Sequence, residues 1–207
     1  SYAVIDRLLV SACFQHIEPV ILFSKADLVD VSEYVGVYRR AGFHSFSFSS
    51  VTGEGIDSFL PLFENSVSVL TGNSGAGKST LLNRLAPQLS LQTGEISKKL
   101  GRGKHTTRSV ELFPLFGGFI ADTPGFSALD LEIGRGITKN NLAECFPDFL
   151  PYVDRCRFTG CSHTVEKGCA VLAALAEGKI ARTRHADYVA MYDELKAIPD
   201  WMNKNRD

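Results

Sequence analysis

Apolar positions open the chain at helical spacing, with Val4, Ile5, Leu8, Leu9 and Ala12 marking one face of an amphipathic helix. Short apolar runs follow at PVILFS (19–24), FHSFSF (43–48), SVSVLT (66–71) and GGFIAD (117–122), with helical stretches between them. That alternation predicts an α/β fold with a mostly parallel sheet. STLLNRLAP, after the third run, reads as a helix stopped by Pro87. The stretch from Ser90 to Arg108, SLQTGEISKKLGRGKHTTR, is polar and has no period. It reads as a long loop, a feature that in compact domains tends to carry function. After DTPGFSALDLEIG the strand signals stop, and AECF, CAVLAALAEGKI and ADYVAMYDELKAI read as helical pieces. The shift near Asn140 divides the chain into an α/β domain, residues 1–140, and a helical module, residues 141–207.

Composition narrows this picture only a little. A chain of 207 residues suits one domain with an accessory module, and 44% hydrophobic with 22% charged residues is ordinary for a water-soluble protein. The net charge of -1 means that any nucleic-acid partner must be met by a local patch. No apolar run approaches the roughly 20 residues of a membrane span, and the first residues lack a secretory signal's basic head and cleavage site. No membrane and a cytoplasmic location are therefore expected. Ser1 inside a helix suggests a piece of something longer.

Three of the five cysteines cluster around a histidine: Cys156, Cys161, His163 and Cys169 form C-x₄-C-x-H-x₅-C. Three thiolates and an imidazole fit tetrahedral Zn²⁺ with no open position, so one structural zinc per chain is expected. A disulfide or buried free thiols would be the plainer reading. Cys13 and Cys145 read as apolar positions.

Gly72-Asn73-Ser74-Gly75-Ala76-Gly77-Lys78-Ser79, with Thr80 next, matches G-x-x-x-x-G-K-[ST] between an apolar strand and a helix. Its glycines let backbone N–H groups turn toward phosphate oxygens, Lys78 reaches the outer phosphates and Ser79 ligates Mg²⁺. Asp122-Thr-Pro-Gly125 follows the GGFIA strand, where Asp122 can hold Mg²⁺ through water and the Gly125 N–H can meet the γ-phosphate. Ser24-Lys25-Ala26-Asp27 ends the PVILF strand and resembles the guanine-reading N-K-x-D motif, whose aspartate accepts from guanine N1 and N2. Lys25 would lie along the base, and Ser24 stands where asparagine is usual. S-K-A-D is also what a surface turn looks like. Ser49-Ser50-Val-Thr-Gly53 follows the next strand and resembles the S-A-x-T-G loop that meets guanine O6; a plain polar turn is the alternative. Four such segments at strand ends agree with the ligand edge of an open α/β sheet.

In most small GTPases the phosphate loop comes first, whereas here the two base-reading segments precede it. The domain reads as circularly permuted, which old termini lying close together would allow. With IEPVILFSKADL, GNSGAGKSTLLN, GRGKHTTRSVELF, ADTPGFSAL and CRFTGCSHTVEKGCAV in place, nearly the whole chain resembles the ribosome-small-subunit-dependent GTPase A family. The fold expected is thus a P-loop GTPase sheet with circular permutation, followed by a small helical zinc-binding module. The family's OB-fold domain and a strand before the opening helix are not in this sequence.

The resemblance implies GTP hydrolysis to GDP and phosphate as a switch in late maturation of the small ribosomal subunit. Partners would be GTP or GDP, that subunit and its rRNA, with the chain a monomer. Phe126 occupies the position of the usual water-orienting glutamine. The family instead attributes that role to a switch-loop histidine, matched here by His105, which can also be a solvated loop residue. Thr106 is the expected switch ligand to Mg²⁺, with Thr107 the less favoured neighbour. Lys98, Lys99, Arg102, Lys104 and Arg108 suit rRNA phosphates, or equally a solvated loop. Unstimulated hydrolysis should be slow, on the order of 10⁻⁴ to 10⁻³ s⁻¹. The zinc module would be a platform for the ribosome, and the end through Trp201, Lys204 and Arg206 reads as RNA-binding or as a frayed helix. Two other readings are a zinc-stabilised RNA-binding module with a degenerate nucleotide pocket, and an ATPase or P-loop kinase, against which Asp27 argues.

Overall fold

The computed structural model of the chain describes residues 1–73, 75–87, 111–122 and 136–199, with Glu111 and Asp122 described for their backbone alone. The opening apolar stripe forms α1 (Tyr2–Phe14), followed by β1 (Val20–Phe23), α2 (Ser32–Arg40), β2 (His44–Ser47) and β3 (Val67–Val69). The phosphate-loop helix is α3 (Lys78–Leu85); then come β4 (Glu111–Leu115) and β5 (Gly118–Asp122). The C-terminal part holds a 3₁₀ turn at Leu142–Cys145, α4 (Leu150–Val153), α5 (Ala170–Ala176) and α6 (Arg182–Lys196). All four apolar runs are therefore strands, and β4 is an additional one. Pro114 lacks an N–H and suits β4 to an edge, where it lies in the order β3-β5-β4. Phe116 and Gly117, both at positive φ (44° and 79°), turn β4 back onto β5 in the manner of a two-residue hairpin.

The expected parallel pairing is found between β3 and β5, in the register Val67↔Phe119, Ser68↔Ile120 and Val69↔Ala121. Because β4 runs antiparallel to β5, the described three-stranded sheet is mixed rather than mostly parallel. β1 and β2 form a separate two-stranded sheet.

Two compact units are drawn from interleaved segments of the chain. One comprises Ser1–Ile21, Gly36–Ser45 and the described residues from 136 onward; the other comprises Leu22–Val35 and the described residues from Phe46 to Asp122. The second unit buries Phe48, Phe59 and Phe63 against Leu81 and Leu82 of α3 and Ile120 of β5. In the first unit, α1 packs on α6 and on the Leu142–Cys145 turn, around a core of Val10, Phe146, Phe149, Val171, Tyr188 and Met191. The unit that carries the cysteine cluster thus includes the opening helix, more than 120 residues away in sequence.

A charge is enclosed in this helical core. Arg184 is fully buried; its Nη2 and Nε donate to the Asp148 carboxylate at 2.7 and 3.3 Å, and its Nη1 donates to Asp6 Oδ1 at 2.7 Å. The guanidinium also lies 4.5 Å from the centre of the Phe146 ring. Among the described residues, no helix is long and apolar enough to cross a membrane.

Candidate functional site

β3 and β5 are parallel neighbours, so their C-terminal ends open on the same edge of the sheet. The phosphate loop leaves that edge after β3, and the backbone of Asp122 ends β5 there. Within the loop Gly72, Gly75 and Gly77 all have positive φ, and Gly77 forms the left-handed N-cap of α3. Ala76 N donates to Asn73 O at 3.1 Å and Leu81 N to Gly77 O at 2.9 Å, which joins a tight turn to the first helical bond. Lys78 folds back over the loop, its ammonium bonding Gly72 O and, at 3.0 Å, Asn73 O. Half-buried Ser79 and exposed Thr80 follow in the first turn of α3, a helix N-terminus with positive potential for an anion.

Ser24 meets this loop although it lies 52 residues upstream, its Oγ donating to Ala76 O at 2.8 Å. The bond follows from the strand ends on either side of it. Phe48 N bonds Phe23 O at 2.9 Å and Ala26 N bonds Phe48 O at 3.1 Å, so the chain leaving β1 is laced to the chain leaving β2. Lys25 turns in the left-handed region at φ 63°, and the side chains of Lys25 and Asp27 are exposed. The serine in the asparagine position of the S-K-A-D segment therefore bridges that segment to the G-x-x-x-x-G-K-S loop.

Ser49 and Ser50 begin the next loop, in different settings. Ser49 is fully buried, and its Oγ accepts from Val51 N and Thr52 N at 3.2 and 3.1 Å, shaping the loop from inside. Ser50 is half-buried. Ser74, His105, Thr106, Thr107, Gly125 and Phe126, the basic positions 98–108 and the segment from Trp201 lie outside the described residues, as does the Asp122 side chain.

The second constellation is complete. The ligand atoms of Cys156, Cys161, His163 and Cys169 all lie within 4.8 Å of one another. Sγ of Cys156 and Sγ of Cys169 are each 3.5 Å from His163 Nδ1 and 3.8 Å from each other. A tetrahedron with Zn–S near 2.3 Å and Zn–N near 2.0 Å has edges of roughly 3.8 Å between sulfurs and 3.5 Å between sulfur and nitrogen. The donor set therefore fits Zn²⁺ in both chemistry and size.

Burial, and then the crowding of neighbouring thiols, pushes Cys161 up to about 12 and raises Cys169. A divalent cation relieves that penalty by ligating thiolates. Burial also lowers the pKa of His163, which favours the neutral imidazole that a metal requires. Backbone N–H groups already point at the sulfurs: Ala170 N at Cys156 Sγ, 3.3 Å, and Leu172 N at Cys169 Sγ, 3.5 Å.

Outer contacts fix the ligand loop, and these the sequence spacing did not disclose. Burial pushes the Glu166 carboxyl up, but the Ser162 hydroxyl and the N–H groups of Ser162, Glu166 and Val165 hold it down at about 2, and Thr164 N also bonds it at 3.1 Å. His185 Nε2 lies 2.8 Å from His163 O, and Tyr188 donates to Ser162 O at 3.0 Å, tying the loop to α6.

Comparison with known proteins adds an independent line. The sequence profile of the family described as RsgA GTPase matches residues 1–132. The protein of Geobacillus sp. (strain WCH70) named small ribosomal subunit biogenesis GTPase RsgA is 43% identical over 202 residues, covering 95% of this chain and 68% of that protein. Among solved structures, YloQ, described as a circularly permuted GTPase, has a TM-score of 0.74 at 32% identity, covering 95% of this chain and 63% of the other. YjeQ from Thermotoga maritima gives 0.75 at 32% identity, covering 96% and 67%. The chain spans about two thirds of the length of these relatives.

Proposed function

Because this chain belongs to the RsgA GTPase family, we propose that it hydrolyses GTP to GDP and phosphate as a switch in late maturation of the small ribosomal subunit, stimulated by that subunit. The observation that carries this reading is the bond from Ser24 Oγ to Ala76 O, which joins a base-reading segment to the phosphate loop despite the reversed order in the chain. Residues 1–140 would do the nucleotide chemistry and residues 141–207 would present a zinc-held platform to rRNA. The protein would act in the cytoplasm as a monomer.

In this reading Asp27 accepts from guanine N1 and N2 with Lys25 along the base, and the loop at Ser49 and Ser50 meets the O6 edge. The N–H groups from Gly72 to Thr80, Ser74 included, surround the phosphates, and Gly125 meets the terminal one. Lys78 opposes the negative charge on the outer phosphates as the γ-group leaves. His105 orients the attacking water in place of the absent glutamine. Ser79, Thr106 and Asp122 would hold Mg²⁺, which when bound with the nucleotide neutralises charge on the β and γ oxygens. Cys156, Cys161, His163 and Cys169 would hold one structural zinc.

The test is GTP turnover by the full-length protein, alone and with small ribosomal subunits. Turnover alone should be on the order of 10⁻³ s⁻¹ or slower, and should rise by about tenfold or more when subunits are added. A rate that added subunits leave unchanged would remove the proposed coupling.

A further inference from the structure

Arg84 lies near the C-terminal end of α3, the helix whose first residues are Lys78 and Ser79, and its side chain is exposed. An exposed arginine on a helix usually makes weak, interchangeable contacts. This one donates to three successive carbonyls: Nη1 to Ser50 O at 2.9 Å and Val51 O at 3.1 Å, and Nη2 to Thr52 O at 3.3 Å. The rigid guanidinium fork supplies these donors from one side.

A trans peptide sets its C=O and N–H in opposite directions, so carbonyls turned toward Arg84 turn the next N–H groups away from it. Those N–H groups all find Ser49. Val51 N and Thr52 N bond its Oγ at 3.2 and 3.1 Å, and Gly53 N bonds its carbonyl at 2.9 Å. The loop is thus held by Ser49 from within and by Arg84 from without. Gly53 completes the fit: its φ is +89°, and a Cβ there would come within 2.1 Å of Arg84 Nη2. The remaining amide of the turn, Ser50 N–H, has no protein acceptor among the described residues.

We infer that Arg84 is a positioning residue for base selection, fixing the Ser50–Thr52 carbonyls so that the Ser50 N–H is presented to guanine O6. The inference rests on the guanine-pocket reading above. The chemistry favours guanine over adenine, because adenine carries an amino donor where guanine has the O6 acceptor, and two donors cannot satisfy each other. Arg84 also links base reading to phosphate binding, since α3 carries the clamp at one end and Lys78 at the other.

The experiment compares calorimetric binding of GDP, 6-thio-GDP and ADP with Mg²⁺ to the wild type, Arg84→Ala and Arg84→Lys. 6-Thio-GDP keeps the N1 and N2 donors that face Asp27 and replaces O6 by a poor acceptor. Arg84→Ala should weaken GDP by about tenfold, as for one oriented hydrogen bond, while leaving 6-thio-GDP nearly unchanged, so that their affinities converge. Arg84→Lys, which keeps the charge and loses the fork, should show the same selective loss to a smaller degree. Equal weakening of both guanine nucleotides in Arg84→Lys, or no change in either variant, would overturn the inference. A wild type that binds ADP as well as GDP would instead remove the guanine pocket itself, and the inference with it.

Discussion

Four side chains suited to ligate a metal, between residues 156 and 169, converge on one point of the helical unit, whereas the G-x-x-x-x-G-K-S loop is joined to the S-K-A-D segment by a hydrogen bond across 52 residues. The two sites also differ in what surrounds them. In the unit that carries the cysteine cluster, half-buried Glu166 caps the loop that bears the cysteines, and the fully buried Arg184 is locked between Asp6 and Asp148. The loops around the G-x-x-x-x-G-K-S segment are held by backbone turns, glycines and the side chains of exposed Arg84 and half-buried Lys78. One region therefore gathers its polar side chains inside a helical core, while the other holds its loops by contacts at strand ends and along one helix.

Metal removal should expose that difference most. Cys161→Ser, or chelation, should abolish stoichiometric zinc by elemental analysis and remove the cooperative thermal transition of the helical unit, since apparent zinc binding is worth on the order of 10 kcal/mol. An unchanged transition would mean that the cluster is no staple. Next in size is a comparison of two arginines. Arg184→Met leaves Asp6 and Asp148 buried without their cation and should cost about 3 to 5 kcal/mol in urea unfolding, while Arg84→Ala should stay within about 1 kcal/mol. Equal costs would mean that the buried and the exposed arginine contribute alike.

The smallest effect is one of pH. Burial raises Asp6 to about 7; Arg184 opposes the rise, and the neighbouring Asp187 carboxyl adds to it. Asp6 Oδ2 and Asp187 Oδ2 are both buried without a hydrogen-bond partner. With the folded pKa above the unfolded value of 3.8, the folded state holds more protons between the two. This contribution is complete below about pH 4 and is lost as pH rises through about 7. Asp6→Asn should flatten that downward component of unfolding free energy between pH 5 and 7; an identical slope in the variant would locate the proton elsewhere.

Local patterns made much of this legible beforehand. The Cys₃His quartet was visible because its residues lie within one short stretch, and the strands β1, β2, β3 and β5 because their apolar runs are bounded by polar turns. β4 was hidden by Pro114 and by the loop-like stretch before it; its edge position explains why the proline is tolerated. The pairing of Arg184 with Asp6 spans 178 residues, and no periodicity signals it. Arg84 looks like any solvent-facing arginine on a helix until the carbonyls of another loop are placed beneath it. Ser24 departs from the motif as a letter, yet its hydroxyl reaches a phosphate-loop carbonyl, a fact of geometry that spacing does not encode.

In the proposed function, segments in permuted order make one guanine nucleotide site. Calorimetry of GDP and ADP binding with Mg²⁺, on the wild type and on Asp27→Ala, tests it most directly. Tight GDP binding, weak ADP binding and loss of the preference in Asp27→Ala are expected, by a few kcal/mol at a carboxylate facing two guanine donors. Equal binding of GDP and ADP by a folded wild-type protein would contradict it.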